Sequence, residues 1–203
     1  MNTTIAGPDG LARCRWCAVA PEFLPYHDGE WGFPVRDDQR LFEKLSLELF
    51  QSGLSWRTIL AKRDHFRAAF RDFDFEQVAR FTRRDVERLL KDAGIVRHRG
   101  KIEAVIENAR RARELIAREG SLAAFVWRYE PAAPHAAAPR AAASSPAQSL
   151  ALSRDLKKLG WRFVGPTTVH AFMQAVGLIN DHAAGCVIRR KVEQARKRFR
   201  KPA

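Results

Sequence analysis

Two pairs of potential metal donors stand at opposite ends of this 203-residue chain: Cys14 with His27, and His182 with Cys186. Zn²⁺ takes four tetrahedral ligands from thiolate and neutral imidazole, and a His-x₃-Cys spacing puts both donors on one side of a single turn. The twelve residues between Cys14 and His27 fit a loop closure and carry little weight alone. If one ion joins the pairs, the two termini are clasped together. The plain alternative makes Cys186 a small buried hydrophobe and the histidines ordinary core or surface residues. Spacing by itself leaves both readings open.

The length suits one domain, 1–203, and a 46% hydrophobic, 10% aromatic composition supports a globular fold with a sizeable core. Three cysteines cannot form a fully paired disulfide set, and residues 1–7 lack a charged segment followed by an apolar one. These features predict a cytoplasmic protein whose thiols stay reduced and available to metal. No apolar run approaches the roughly 20 residues that span a bilayer, which argues against a membrane partner. The net charge of +13 favours nucleic acid, because Lys and Arg neutralise phosphates. Residues 189–203 hold eight Lys/Arg against Glu193 alone, leaving +6 for the rest. That tail reads either as a solvated basic run or as a nonspecific grip on a polyanion.

Nearly every periodic segment has helical spacing. Leu41, Phe42, Leu45, Leu49 and Phe50 follow the capping candidates Asp37 and Asp38, and Thr82 with Asp85 opens a helix carrying Val86, Leu89 and Leu90. A long amphipathic stretch continues through Ile102, Val105, Ile106, Ala109, Ala112, Leu115 and Ile116. No segment alternates like a strand. The expected fold is a compact all-α domain of roughly eight helices with turns at Gly53, Gly94, Gly120 and Gly160, a core of about 13–188, and a basic tail at 189–203. The Ala/Pro/Ser-rich segment 131–149 reads as a flexible loop inserted in that domain.

Three segments could carry chemistry. Tyr26-His27-Asp28-Gly29-Glu30-Trp31-Gly32 crowds aromatic, acidic and glycine residues into a non-periodic stretch. Glu48 lies at the core-side edge of a helix beside Leu45 and Leu49, where a carboxylate needs a hydrogen-bonding or catalytic reason. In Gly160-Trp161-Arg162-Phe163-Val164-Gly165-Pro166-Thr167, a glycine turn leads to a proline suited to the first helical position. The helix N-terminus that follows, beside Arg162, suits an anion such as a DNA phosphate. The turn Gly94-Ile95-Val96-Arg97-His98-Arg99-Gly100-Lys101 could face the same backbone.

These runs, with Gln51-Ser52-Gly53-Leu54-Ser55-Trp56 and Asn180-Asp181-His182, resemble the DNA-3-methyladenine glycosylase I family from Arg13 to Cys186. The resemblance implies an all-α fold of the helix-hairpin-helix glycosylase superfamily, with a structural zinc on Cys14, His27, His182 and Cys186. It implies a monofunctional glycosylase of base-excision repair that flips 3-methyladenine out of double-stranded DNA and releases it by hydrolysis. Glu48 falls at the family's pocket carboxylate, Tyr26 and Trp56 at the aromatics that hold the base, and Trp31 in the same wall. Phe23 takes a position where some members have tyrosine, so stacking survives there and a hydroxyl hydrogen bond does not. Leu54 corresponds to the apolar side chain that fills the gap in the duplex, while Gly165, Thr167, Arg162, Arg97 and Arg99 fall on the DNA side. The hairpin has no lysine at the Schiff-base position of bifunctional relatives, which implies no lyase activity. Asp181 is expected to orient His182 or cap a turn. A monomer is expected. The rival readings are a zinc-stabilised DNA-binding module without catalysis and a glycosylase for another alkylated base.

Overall fold

The computed structural model describes residues 3–131 and 147–202. Its order is β1 (Thr4–Ala6), β2 (Ala12–Cys14), α1 (Phe23–Gly29), α2 (Asp38–Gln51), α3 (Trp56–Ala61), α4 (Arg63–Ala69), α5 (Phe75–Val78), α6 (Arg83–Lys91), α7 (Arg99–Glu119), α8 (Leu122–Trp127), α9 (Ala147–Lys158), α10 (Pro166–Ala175) and α11 (Val187–Arg198). Short 3₁₀ turns at Arg15–Ala18 and Arg71–Phe73 complete it.

Several helices start where side chains can replace missing intrahelical acceptors. Asp37 accepts from the Arg40 N–H at the head of α2, and Thr82 with Asp85 forms a capping box on α6. Asp38 caps a different helix, accepting from the N–H groups of Leu122 and Ala123 at the start of α8. α2 is the axis of the molecule. All ten residues from Leu41 to Phe50 are buried, because α3, α7, α8 and α10 pack around it. Phe42 and Phe50 join Phe66, Phe70 and Phe73 in the main core. An enclosed helix must satisfy any polar residue it carries, and α2 carries Glu43, Lys44, Ser46 and Glu48.

Four expectations need correction. The chain has a two-stranded antiparallel sheet, with Thr4 opposite Cys14, whose three-residue strands are too short to alternate visibly. Helices number eleven among the described residues, because the Phe-rich stretch after α3 breaks into short turns of helix. Gly94 does lie in a turn, after α6, without a left-handed backbone, and a side chain there would meet Asp92 and His65 at 2.9 Å. The basic tail is not free: α11 buries Ile188 and Val192, Arg189 donates to the His182 carbonyl, and Arg196 donates to the Gly177 carbonyl and Glu130. Phe199 closes on Trp127 with ring centroids 4.3 Å apart. Most of the Ala/Pro-rich loop, 132–146, lies outside the described residues, and 147–149 already belong to α9.

α9 and α10 pack against each other, joined by the turn Gly160–Gly165. Buried Asn108 of α7 takes both backbone groups of Arg162, accepting from its N–H at 2.8 Å and donating to its carbonyl at 3.0 Å. Ser153 of α9 donates to the Val164 carbonyl at 2.6 Å. Asn108→Ala strips two partly buried backbone groups of their partner and is expected to cost about 2–3 kcal/mol. Urea unfolding measures it, and a loss below about 0.5 kcal/mol would show the turn to be held otherwise.

Candidate active site

Tyr26 from α1, Glu48 and Lys44 from α2 and Trp56 from α3 converge on one cavity, which Glu30, Arg40, Glu43 and Arg63 also line. The Tyr26 and Trp56 rings stand 5.3 Å apart at 46°. Trp56 reaches its place because Gly53, at φ 79°, turns the chain out of α2 and Ser55 caps α3 on the Thr58 N–H. Its indole N–H is buried and has no acceptor among the described residues.

Burial pushes the Glu48 carboxyl up to about 8, against the lowering pull of Lys44 one turn away. Lys44 is itself lowered by burial, with Glu30 at 3.6 Å opposing the shift, and its ammonium sits 5.5 Å from the centre of the Tyr26 ring. Burial, then Glu48 and Glu30, hold the Tyr26 phenol protonated. Glu30 is fixed by Arg63 at 2.7 Å and Arg40 at 3.6 Å. A carboxylic acid held protonated by burial in a cavity that two electron-rich rings also line is suited to receive a cation, giving up its proton as the cation arrives.

Phe23 and Trp31 do not line this cavity. Phe23 packs with Cys17 and Ala20 against Trp16, Leu24, Trp56 and Leu60, behind the cavity wall. Trp31 is turned away by the close of α1, where its N–H donates to the Tyr26 carbonyl, and its ring lies 4.6 Å from His182 and 5.0 Å from Trp16.

The donor atoms of Cys14, His27 and Cys186 all lie within 4.8 Å of one another. His182 faces them edge to face, its ring centroid 4.9 Å from that of His27, and its buried Nε2 has no partner among the described residues. Each imidazole is oriented through Nδ1: His27 against Asp28 at 2.7 Å, with Asp28 tied to Arg13, and His182 against Asn180 at 2.9 Å. Both Nε2 atoms are thereby left for the centre, the usual arrangement around a metal-binding histidine. Burial, then His27, pushes His182 down to about 4, so it is neutral near pH 7. Hydrogen bonds from the Cys14 thiol and His27 drive Cys186 well below the ordinary thiol range. An orphaned imidazole nitrogen beside two cysteines and a second histidine fits a tetrahedral zinc. The orienting partner of His182 is Asn180, not Asp181, which accepts from Gln174 instead.

Leu54 is exposed at the tip of the turn after α2. Ser52 Oγ stands 3.4 Å from Thr168 Oγ1 on α10, and Lys101 donates to the carbonyls of Phe50 and Ser52, so the Leu54 turn and the starts of α7 and α10 share one face. Gly165 is the N-cap of α10, with Pro166 first in the helix and Thr167 exposed behind it. Arg97 and Arg162 are exposed; Arg99 is paired with Glu87 and Glu103.

Sequence reasoning passes over Lys44, Arg63 and Trp16. Lys44 is four residues before Glu48, a spacing that could have flagged it. Trp16 makes edge contacts with Phe23, Tyr26, His27 and Trp31 and so joins the cavity wall to the donor cluster; nothing in the sequence marks that role.

The methyladenine glycosylase family model matches residues 16–190. DNA-3-methyladenine glycosylase 1 of Escherichia coli (strain K12) is 46% identical over 179 residues, 87% of this chain and 96% of the relative. The solved structure of a 3-methyladenine DNA glycosylase I superposes with a TM-score of 0.80 at 46% identity, covering 86% of this chain and 98% of the other. A variant 3-methyladenine DNA glycosylase I in complex with 3-methyladenine superposes with a TM-score of 0.80 at 36% identity, covering 85% and 96%.

Proposed function

Because the chain belongs to the methyladenine glycosylase family, we propose that it excises 3-methyladenine from alkylated duplex DNA by hydrolysing the bond between base and sugar. The observation that carries this is a buried carboxyl, Glu48, set with Tyr26 and Trp56 around one cavity. Methylation at N3 makes adenine cationic and a good leaving group, so the protein has to extrude the nucleotide, hold the cation and admit water. Stacking on Tyr26 and Trp56 adds a cation–π preference of about 1–2 kcal/mol over neutral adenine, roughly tenfold, which is too little alone. Ionised Glu48 supplies the remainder, as an acceptor for the base amino group and as a negative charge near the developing positive charge on the sugar. The free Trp56 N–H offers a donor to a ring nitrogen of the base.

The α9–turn–α10 pair is read as a helix-hairpin-helix element, with backbone N–H groups at Gly165 and Thr167 and the Arg97 and Arg162 side chains gripping phosphates. Leu54 fills the space the flipped nucleotide vacates. One copy of the chain presents this whole face, so a monomer suffices. Cys14, His27, His182 and Cys186 hold a structural zinc, whose chemistry when bound is to cross-link the first and last segments.

Release of free 3-methyladenine from methylated duplex DNA tests the reading. Release at low enzyme concentration, without strand cleavage, is the expected result. No release by a folded, zinc-loaded sample would leave a DNA-binding module or a different lesion.

A further inference from the structure

Phe163 is unusual in two ways. It is a large aromatic residue at φ 56°, in the left-handed region that side chains other than those of Gly, Asn and Asp rarely occupy, and it is 39% exposed. The backbone on either side is pinned by side chains that are themselves buried, Asn108 on both polar groups of Arg162 and Ser153 on the carbonyl of Val164. A sparsely populated conformation persists only where its surroundings over-determine it, and such sites concentrate where a residue is presented for use. Core packing does not account for this one, since the ring faces outward.

Its neighbours say toward what. The ring stands edge-on to His98, centroids 6.4 Å apart, and a methyl group built on Gly100 would lie 3.9 Å from its Cζ atom. Lys101, next along, binds the carbonyls of Phe50 and Ser52, and Ser52 precedes Leu54 by two residues. Leu54 is 40% exposed. Two exposed apolar tips therefore share a face with the exposed cations Arg97 and Arg162, a combination that fits a polyanion whose interior is apolar: stacked bases behind phosphates.

The geometry points to Phe163 as a second DNA-contacting residue, an aromatic wedge that stacks on a base of the duplex beside the extruded nucleotide while Leu54 occupies the vacated space. The inference rests on the glycosylase reading above. The clamp by Asn108 and Ser153 holds the ring outward in advance, so little ordering is left to the moment of contact.

The deciding variant is Phe163→Gly, which removes the ring and accepts the left-handed backbone. The probes are a duplex carrying a tetrahydrofuran abasic-site analogue with 2-aminopurine opposite it, and free 3-methyladenine followed by tryptophan fluorescence. Duplex affinity is expected to fall about tenfold, as loss of one aromatic stacking contact does, with a smaller 2-aminopurine fluorescence increase on binding. Melting temperature should hold or rise, and free-base affinity should stay at the parent value. Duplex affinity within twofold of the parent overturns the inference, as does a parallel loss of melting temperature and free-base binding. If the parent releases no 3-methyladenine and the variant still loses duplex affinity, the glycosylase reading fails while the contact stands.

Discussion

Glu48→Gln is expected to lower the release of 3-methyladenine at least about 100-fold and, in the same protein, to raise folding stability at alkaline pH. The loss follows from charge. Glutamine keeps a hydrogen-bond acceptor for the base but cannot balance a cation in a dry cavity, and removing one preorganised electrostatic partner costs about 10²–10³ in rate. The gain in stability follows from linkage. The carboxyl sits near 4.5 in an unfolded chain and about 8 in the fold. Below pH 4.5 both states hold the proton and Glu48 contributes nothing to pH dependence. Between 4.5 and 8 the unfolded chain gives up a proton that the fold retains, so stability falls as pH rises and levels off above 8. Glutamine removes that penalty, on the order of a few kcal/mol at its full extent. Urea unfolding of parent and variant at pH 4 and pH 8.5 checks the sign: near coincidence at the lower pH, a more stable variant at the higher. The kcat/KM profile of the parent should rise with pH toward a limb near 8, since that ratio reports the free enzyme. A fully active variant would show that Glu48 does not balance the cationic base, and one destabilised at pH 8.5 that it carries no raised pKa.

Loss of the metal should be the largest effect on stability. Purified protein is expected to carry about one zinc per chain, and Cys186→Ala or chelation to release it at a cost of at least about 3 kcal/mol. The cluster ties β2 and α1 to the segment before α11, at the centre of a small apolar cluster in which Tyr26 and Trp31 pack with Ala183, Ile188 and Val192. Tryptophan emission offers a second readout, because the Trp31 and Trp16 rings lie 4.6 Å from His182 and 5.3 Å from His27. Tyr26 directly precedes His27 in α1, so base affinity should fall with the metal. A zinc-free preparation, or a Cys186→Ala variant that melts with the parent, would refute the clasp.

What can be read from the sequence is what is local. The Asp37 cap, the Thr82–Asp85 box and the Gly160–Pro166 turn each depend on residues within a few positions of one another. The donor residues are visible as types, and only the fold brings Cys14 within reach of Cys186. Asp38 capping α8 from 84 residues away leaves no local mark. The periodicity of α2 suggests one buried face, whereas neighbours enclose every side of it from Leu41 to Phe50, which is why Lys44 and Glu43 escape a reading by pattern. Trp31 belongs to the cavity wall by its place in a motif, but a turn of backbone sends its ring to the cluster instead. For the tail a signal exists: Ile188 and Val192 stand four apart within a run of cations, the spacing of a helix with one buried stripe.

Six charged side chains line the cavity, three of each sign: Glu30, Glu43 and Glu48 against Arg40, Lys44 and Arg63. While Glu48 holds its proton, one positive charge is in excess, and a cationic base adds a second unless that proton leaves. On the proposed reading, damage recognition would be an ion exchange, a methylated base in and a hydrogen ion out, with the cavity's total charge the same before and after. An undamaged base has nothing to exchange. Acidification would then weaken the grip on the lesion while leaving the arginines on the outer face fully charged, so the protein would stay on DNA and lose its ability to tell one adenine from another.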